Sequence, residues 1–470
     1  MAPHQSPALV TAENVLPIAG AYAPFPAHVP AATLPSAAKG LFSTIQDSGA
    51  PLIYAATQDT IYRVLSGNVI NAYSGAPIKA AHWWFARVGG KICAGCEGLP
   101  PVGVDIGSAS FSPLGGSPPW AAVGAVLHRD YLVLGNLQNE DVDGTVPNRV
   151  RWSGSENPEQ WGTDLASGAD FEDMPEEGGP VIAITGKSDG LVFQRKAISR
   201  MAYSGNPSTV FEFTVLELER GAVTTGAVCH VGDLVYYRAD DGFFVHNGIQ
   251  SAPIGTGRVD DWFANNADPS KIGLMRSGYD PIHRCVLWAF AENGQSANSA
   301  MLCYSIAQDK FTLLRLPVQE LCLSQTLPAS LESMPTPDTD PISWDDGTRA
   351  GKEPVLSGVN SSNQYGTFTG STLASTIETG DFQSGPGQRT FVAGVRPLID
   401  SSSVQIAVGS KNEATKDTVS WGAGSSLGVD GSCPQRTDAR YLRYRQTTSA
   451  NDDWSRSVGL ELEIAGGGRR

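Results

Sequence analysis

From Leu52 onward, short apolar runs alternate with turns. Such runs occur at Leu52–Thr57, Lys91–Cys96, Tyr131–Leu137, Gly190–Gln194, Asp233–Arg238, Cys285–Ala291 and Pro354–Asn360. Each is followed by a second β-rich run, at Ile61–Leu65, Val102–Ile106, Arg149–Ser153, Ile198–Tyr203, Phe243–His246, Met301–Ile306 and Tyr365–Thr369. Runs of this length, bounded by Gly, Asn or Asp, predict strands rather than helices. The first runs start at 52, 91, 131, 190, 233, 285 and 354, so they lie 39 to 69 residues apart. Most of these gaps are close to the roughly 40–50-residue period of a four-stranded propeller blade. One blade has two apolar faces and cannot cover them alone, so blades pack side by side around an axis. The pattern therefore predicts an all-β chain with a β-propeller of six to eight blades, seven being favoured. A solenoid is the runner-up and lacks the strict short repeat it needs.

After Phe382 the pattern changes. Val392–Ile399, Val404–Val408, Thr418–Trp421, Tyr441–Gln446 and Val458–Ile464 predict five strands with polar turns, which suits a small β-sandwich over 383–470 ending in a basic tail. Leu442 and Tyr444 alternate with Arg443 and Arg445, giving that strand one buried and one solvated face. Residues 1–40, interrupted by Pro24, Pro26 and Pro30, read as an extended arm ahead of a propeller over 41–382. Within the propeller, Arg258–Asn266 predicts a short helix pinned by Trp262 and Phe263, and 326–353 reads as an inserted loop.

Composition sharpens this picture. The 52 Gly and 31 Pro among 470 residues suit many short strands and turns. The charge balance is 33 Lys plus Arg against 48 Asp plus Glu, a net −15. Gripping nucleic-acid phosphates takes a basic surface, so this chain as a whole is expected to repel nucleic acid. A channel through which DNA slides would be compatible with it. Seven cysteines, odd in number and scattered, argue for reduced thiols and assembly in a cytoplasm. No apolar run is long enough to cross a bilayer as a helix, and the proline-broken N-terminus is no signal peptide, so membrane insertion is not expected.

Two phrases carry a family resemblance. Asn148–Trp161 (NRVRWSGSENPEQW) and Asp241–Phe263 (DGFFVHNGIQSAPIGTGRVDDWF) are similar to phrases of the tail nozzle or hub proteins of short-tailed bacteriophages, and Arg440–Arg445 with Arg469-Arg470 is a weaker match. The resemblance implies a propeller protomer that assembles into a homo-oligomeric ring, a hexamer, below the portal and its adaptor. Such a ring conducts viral DNA without specific binding and carries tail fibres or spikes. It implies a virion protein, assembled in the host cytoplasm, with no catalytic, cofactor or metal role. The alternative is a glycan-binding or glycan-cleaving propeller for receptor recognition.

Candidate chemistry reduces to structure on inspection. Cys93 and Cys96 form a CxxC without the further ligands that zinc needs. Asn139–Gly144 starts like a calcium loop, but Val150 stands where the bidentate Glu belongs. Ser343–Gly347 resembles one Asp-box turn and does not recur. Acidic pairs such as Asp240 and Asp241 suit solvated turns better than catalysis, and the tryptophans, Trp83 and Trp84 included, suit packing between sheets. On the conduit reading, Glu140, Asp141, Asp143, Asp170, Glu172, Asp173, Glu176 and Glu177 are the expected channel-facing carboxylates, and Phe25 and Val29 the expected subunit contacts.

Overall fold

A computed structural model describes residues 9–46, 48–75, 82–128, 130–140, 143–163, 167–186, 189–206, 208–325, 354–385, 388–401, 403–413 and 418–466. The chain divides into two compact units, one comprising 30–301 and 316–367, the other 1–29, 302–315 and 368–470.

The first unit is a seven-bladed β-propeller. Its first five blades are antiparallel four-stranded sheets that follow chain order, covering Gly40–Ser74, Trp83–Pro113, Ala121–Asp173, Val181–Leu218 and Val228–Pro253. The sixth opens with Arg276–Asp280 and Cys285–Phe290, and the seventh is built on Val318–Gln325, Pro354–Asn360 and Gln364–Thr372 with Pro26–Thr33 outermost. Each blade's inner strand packs on the next, and Val318–Gln325 returns against Gly40–Ile45 to close the circle. Faces covered by neighbours on both sides explain why Cys285–Phe290 is buried at every position, where a half-exposed sheet would alternate.

Alternation still shows in where side chains go. Trp83 joins the cluster of Leu52, Tyr54 and Ile92, and adjacent Trp84 joins that of Leu114, Leu132 and Trp161. These are the two faces of the second blade. The expected helix forms over Asp260–Asn266, its Phe263 packed between Phe243 and Phe290.

The second unit is a β-sandwich. One sheet has Leu9–Glu13, Ser375–Thr379, Tyr441–Thr448 and Gln405–Lys411 side by side, with Lys310–Leu314 parallel to Leu9–Glu13. The other runs Val15–Ile18, Ala21–Pro24, Ser457–Gly466, Thr390–Ile399, Cys433–Ala439. Between them lie Val392, Val395, Ile406, Val408, Leu442 and Tyr444. Arg443 and Arg445 point the other way, into ion pairs with Glu378 and Asp381 that also take in Lys411.

The N-terminal residues correct the sequence reading. An arm was expected over 1–40; of that stretch, residues 9–33 are extended as strands of sheets, and 1–8 lie outside the described residues. Prolines suggested otherwise because they cannot donate to a ladder, yet an outermost strand has a free side on which a missing donor costs little. Val15–Ile18, holding Pro17, and Pro26–Thr33, holding Pro26 and Pro30, are both outermost. The sandwich accordingly begins long before residue 383. The loop expected over 326–353 lies outside the described residues.

Candidate functional site

The expected acidic surface maps to the third blade and the turn after it. Asp170–Asp173 is that blade's outermost strand, and Glu176 and Glu177 sit in the 3-10 turn Glu176–Gly178. The eight carboxylates do not act alike. Arg149, only 7% exposed, grips Asp173 through Nε at 2.6 Å and Asp143 at 2.7 Å, with its guanidinium 4.1 Å from the Phe171 ring centre. The hydrogen bond from Arg149 holds the Asp173 carboxyl below its usual range. Glu140 is buried, paired with Arg151 at 2.7 Å, and Arg151 also donates to the Trp161 carbonyl. Glu140 is therefore no channel-facing group; its charge is spent holding the hairpin of Tyr131–Glu140 and Gly144–Trp152. Asp170, Glu172, Glu176 and Glu177 are exposed and make no ion pair among the described residues. Asp141 lies outside them.

The expected subunit contacts separate. Phe25 is fully buried, its ring edge-on to Phe368 at 5.9 Å, and so is unavailable to a neighbour. Val29, 43% exposed, stays on the surface.

Both phrases of the resemblance are built around specific contacts. In Asn148–Trp161, Trp161 donates to the Pro158 carbonyl and Gly154 bridges Asn157, which folds SGSENPEQ into a compact turn. In Asp241–Phe263, the Asp260 carboxylate accepts the Phe243 amide at 3.0 Å. A Cβ on Gly242 or Gly255 would stand 2.5 or 2.1 Å from an Asp260 oxygen, so a side chain at either position would push that carboxylate aside. Burial pushes the Asp260 carboxyl up, against the Phe243 hydrogen bond and the Arg238 charge.

Other candidates resolve into packing. Cys93 and Cys96 sit three apart on one strand, so their thiols enter different clusters and cannot share a metal. Burial pushes both thiols up to about 12. Among the described residues no three His, Cys, Asp or Glu side chains gather to hold a metal. The calcium-like loop includes Asp141, and Ser343–Gly347 lies wholly outside the described residues. The indole N–H groups of Trp83, Trp84, Trp152 and Trp288 all donate to backbone carbonyls inside the blades.

Two further features escaped the sequence reading. In the propeller, Arg276 on the sixth inner strand pairs with Glu320 on the seventh at 2.7 Å, both buried, with His82 Nδ1 3.7 Å away. Burial would raise the Glu320 carboxyl, but the Arg276 charge and the approach of His82 outweigh it and hold it low. In the sandwich, a cleft of about 460 Å³ opens between the sheets, lined by Leu9, Tyr22, Ile377, Phe382, Tyr444 and Leu460 among others. Its lining comes from stretches far apart in the chain, so no local pattern announces it. The Tyr444 hydroxyl on this wall has no hydrogen-bond partner among the described residues.

No family model matches the chain, and no curated protein matches it. Among solved structures it is similar to the crystal structure of the RRP9 WD40 repeats, at 11% identity and a TM-score of 0.40, over 68% of this chain and 89% of that one. A likeness at that level carries no argument, and the propeller rests on its own closed ring of strands.

Proposed function

We propose that the chain is a non-catalytic virion protein of a short-tailed bacteriophage, a nozzle or hub protomer that assembles into a ring below the portal and adaptor. The observation that carries the reading is the double role of the two resembling phrases. Each is similar to the nozzle family in sequence, and each builds a blade-fixing contact, Arg149 and Arg151 in the third blade and Asp260 in the fifth. The propeller also agrees with what the resemblance implies. In such a ring the unneutralised Asp170, Glu172, Glu176 and Glu177 would repel passing DNA and keep it from adhering. Tail fibres or spikes would attach outside.

Electron microscopy of the purified chain, alone and mixed with portal and adaptor proteins, tests this. The expected image is a multi-subunit annulus with a central bore; a monomer under every condition overturns the reading. Replacing those four carboxylates by Lys in the phage should slow genome ejection, and unchanged kinetics would remove them from the channel wall.

A further inference from the structure

The strand Ser457–Gly466 pairs along its full length with Thr390–Ile399, from Ile399 opposite Ser457 to Thr390 opposite Gly466. On its other side the described residues supply a single pair, Tyr22 opposite Ser457. Beyond that point its backbone donors and acceptors form an edge left open by the described residues. The side chains report the same gap. Leu460 and Leu462 pack inward on the sandwich core, Ile464 shares their side of the strand, and Val458 stands at a bulge. Yet Val458 and Ile464 are 54% and 45% exposed, while Val392 and Val395 on the neighbouring strand are fully buried. The cleft runs along this edge, with Val458, Gly459, Leu460 and Leu462 in its wall. The partnerless hydroxyl of Tyr444, a residue 3% exposed, belongs to the same wall.

Exposed edges are ordinarily blunted by proline, lysine or a bulge that turns them away. The sequence SVGLELEIAG has no proline and no lysine, and its bulge, at Val458, lies at the end already paired with Tyr22. Its outward residues are Glu461 and Glu463, both exposed and without an ion pair among the described residues. Arg396 lies opposite Glu461, but its guanidinium donates to the Asp430 carbonyl.

We propose that this edge is a strand-addition site, filled by an extended segment of a partner protein in which apolar residues alternate with lysine or arginine. Main-chain hydrogen bonds to Val458–Ile464 give the attachment, and apolar side chains on one face of the incoming strand enter the cleft. A polar atom at its inner end meets the Tyr444 hydroxyl. Cationic residues on the other face lie beside Glu461 and Glu463, where opposite charges across strands are favourable. The inference stands apart from the virion reading: peptide binding by the isolated chain tests the edge, and ring formation tests that reading.

The test uses the full chain and two short labelled peptides, one alternating valine with lysine, the other valine with glutamate. Fluorescence anisotropy should show the lysine peptide binding about tenfold or more tighter. The double variant Glu461→Lys, Glu463→Lys, altered only at exposed positions, should reverse that order. Hydrogen exchange should show the amides of Val458–Ile464 gaining protection on binding. Equal affinity for the two peptides, an unchanged order in the double variant, or no added protection on this strand each overturns the proposal. Binding seen only after deletion of residues 1–8 also overturns it, by making the chain's own N-terminus the occupant.

Discussion

The two units solve the same problem, covering the faces of a β-sheet, in opposite ways. In the propeller each blade is covered on both sides by its neighbours, and the circle of inner strands leaves no first or last sheet. In the sandwich two sheets share a single apolar core, the far side of one carries the charged groups Glu378, Asp381, Arg443 and Lys411, and among the described residues Ser457–Gly466 keeps a largely open edge. The ring buries more of every strand and tolerates less change. The sandwich keeps surface to spare, so a binding edge can exist there without loss of the core.

The largest expected break in this contrast is at Trp288. It is fully buried, donates to the Ala227 carbonyl at 3.0 Å and packs on Phe243 at 4.9 Å, linking inner parts of the fifth and sixth blades. Trp288→Ala should cost about 3–5 kcal/mol, since a cavity opens where neither side can collapse. Leu398→Ala, on the outer face of the sandwich and 38% exposed, should cost within about 0.5 kcal/mol. Urea denaturation of both variants checks this. Similar losses would mean that the two architectures are equally tolerant.

The Arg276–Glu320 pair comes next, because a dry ring leaves a broken pair without solvent. Glu320→Gln should cost about 3 kcal/mol at neutral pH by stranding a buried guanidinium. The Glu320 carboxyl is held below its unfolded value of about 4.3, so its contribution is fully present above that pH. It is lost as pH falls through the lower folded value. The stability gap between wild type and Glu320→Gln should therefore be constant near neutrality and shrink below about pH 4. A gap that widened on acidification would mean that the carboxyl is raised instead.

Gly255 tests a contact internal to one blade. A Cβ there would meet the Asp260 oxygen that holds the Phe243 amide, so Gly255→Ala should cost about 1–3 kcal/mol by forcing that carboxylate away. Thermal unfolding of Gly255→Ala beside Gly273→Ala, where a Cβ meets nothing within 4 Å, separates the clash from a general glycine effect.

How much of this was legible beforehand follows from the same contrast. The blades announced themselves because each is local: Pro51–Ala56 pairs with Thr60–Leu65 just after it, so apolar run, turn and second run appear in order. Trp83 and Trp84 could be assigned to opposite faces from alternation alone. The sandwich hid half its strands, because Leu9–Glu13 pairs with Ser375–Thr379 and Tyr22 with Ser457, across most of the chain. Composition gave the acidic surface of the third blade, but not that Glu140 and Asp173 were already committed to Arg151 and Arg149. Phe25 looked like an anchor for a neighbour for the same reason: its actual partner, Phe368, is distant in sequence. Pairings at long separation leave no trace in a local pattern.

The smallest effect belongs to the charged outer face of the sandwich. Arg445 lies 3.8 Å over the Trp421 ring while pairing with Glu378 at 3.0 Å. The ring and the carboxylate share one guanidinium, and solvent reaches both Arg445 and Trp421. Trp421→Ala should therefore cost only about 0.5–1 kcal/mol, the Glu378 pair remaining to hold the arginine. That remaining pair is partly open to solvent, so added salt should weaken the variant slightly more than the wild type. Denaturation of both at low and high salt reads the difference directly. A loss of several kcal/mol would make this face a second core, and the contrast between blades with apolar packing on both sides and a sandwich with a single apolar core would fail.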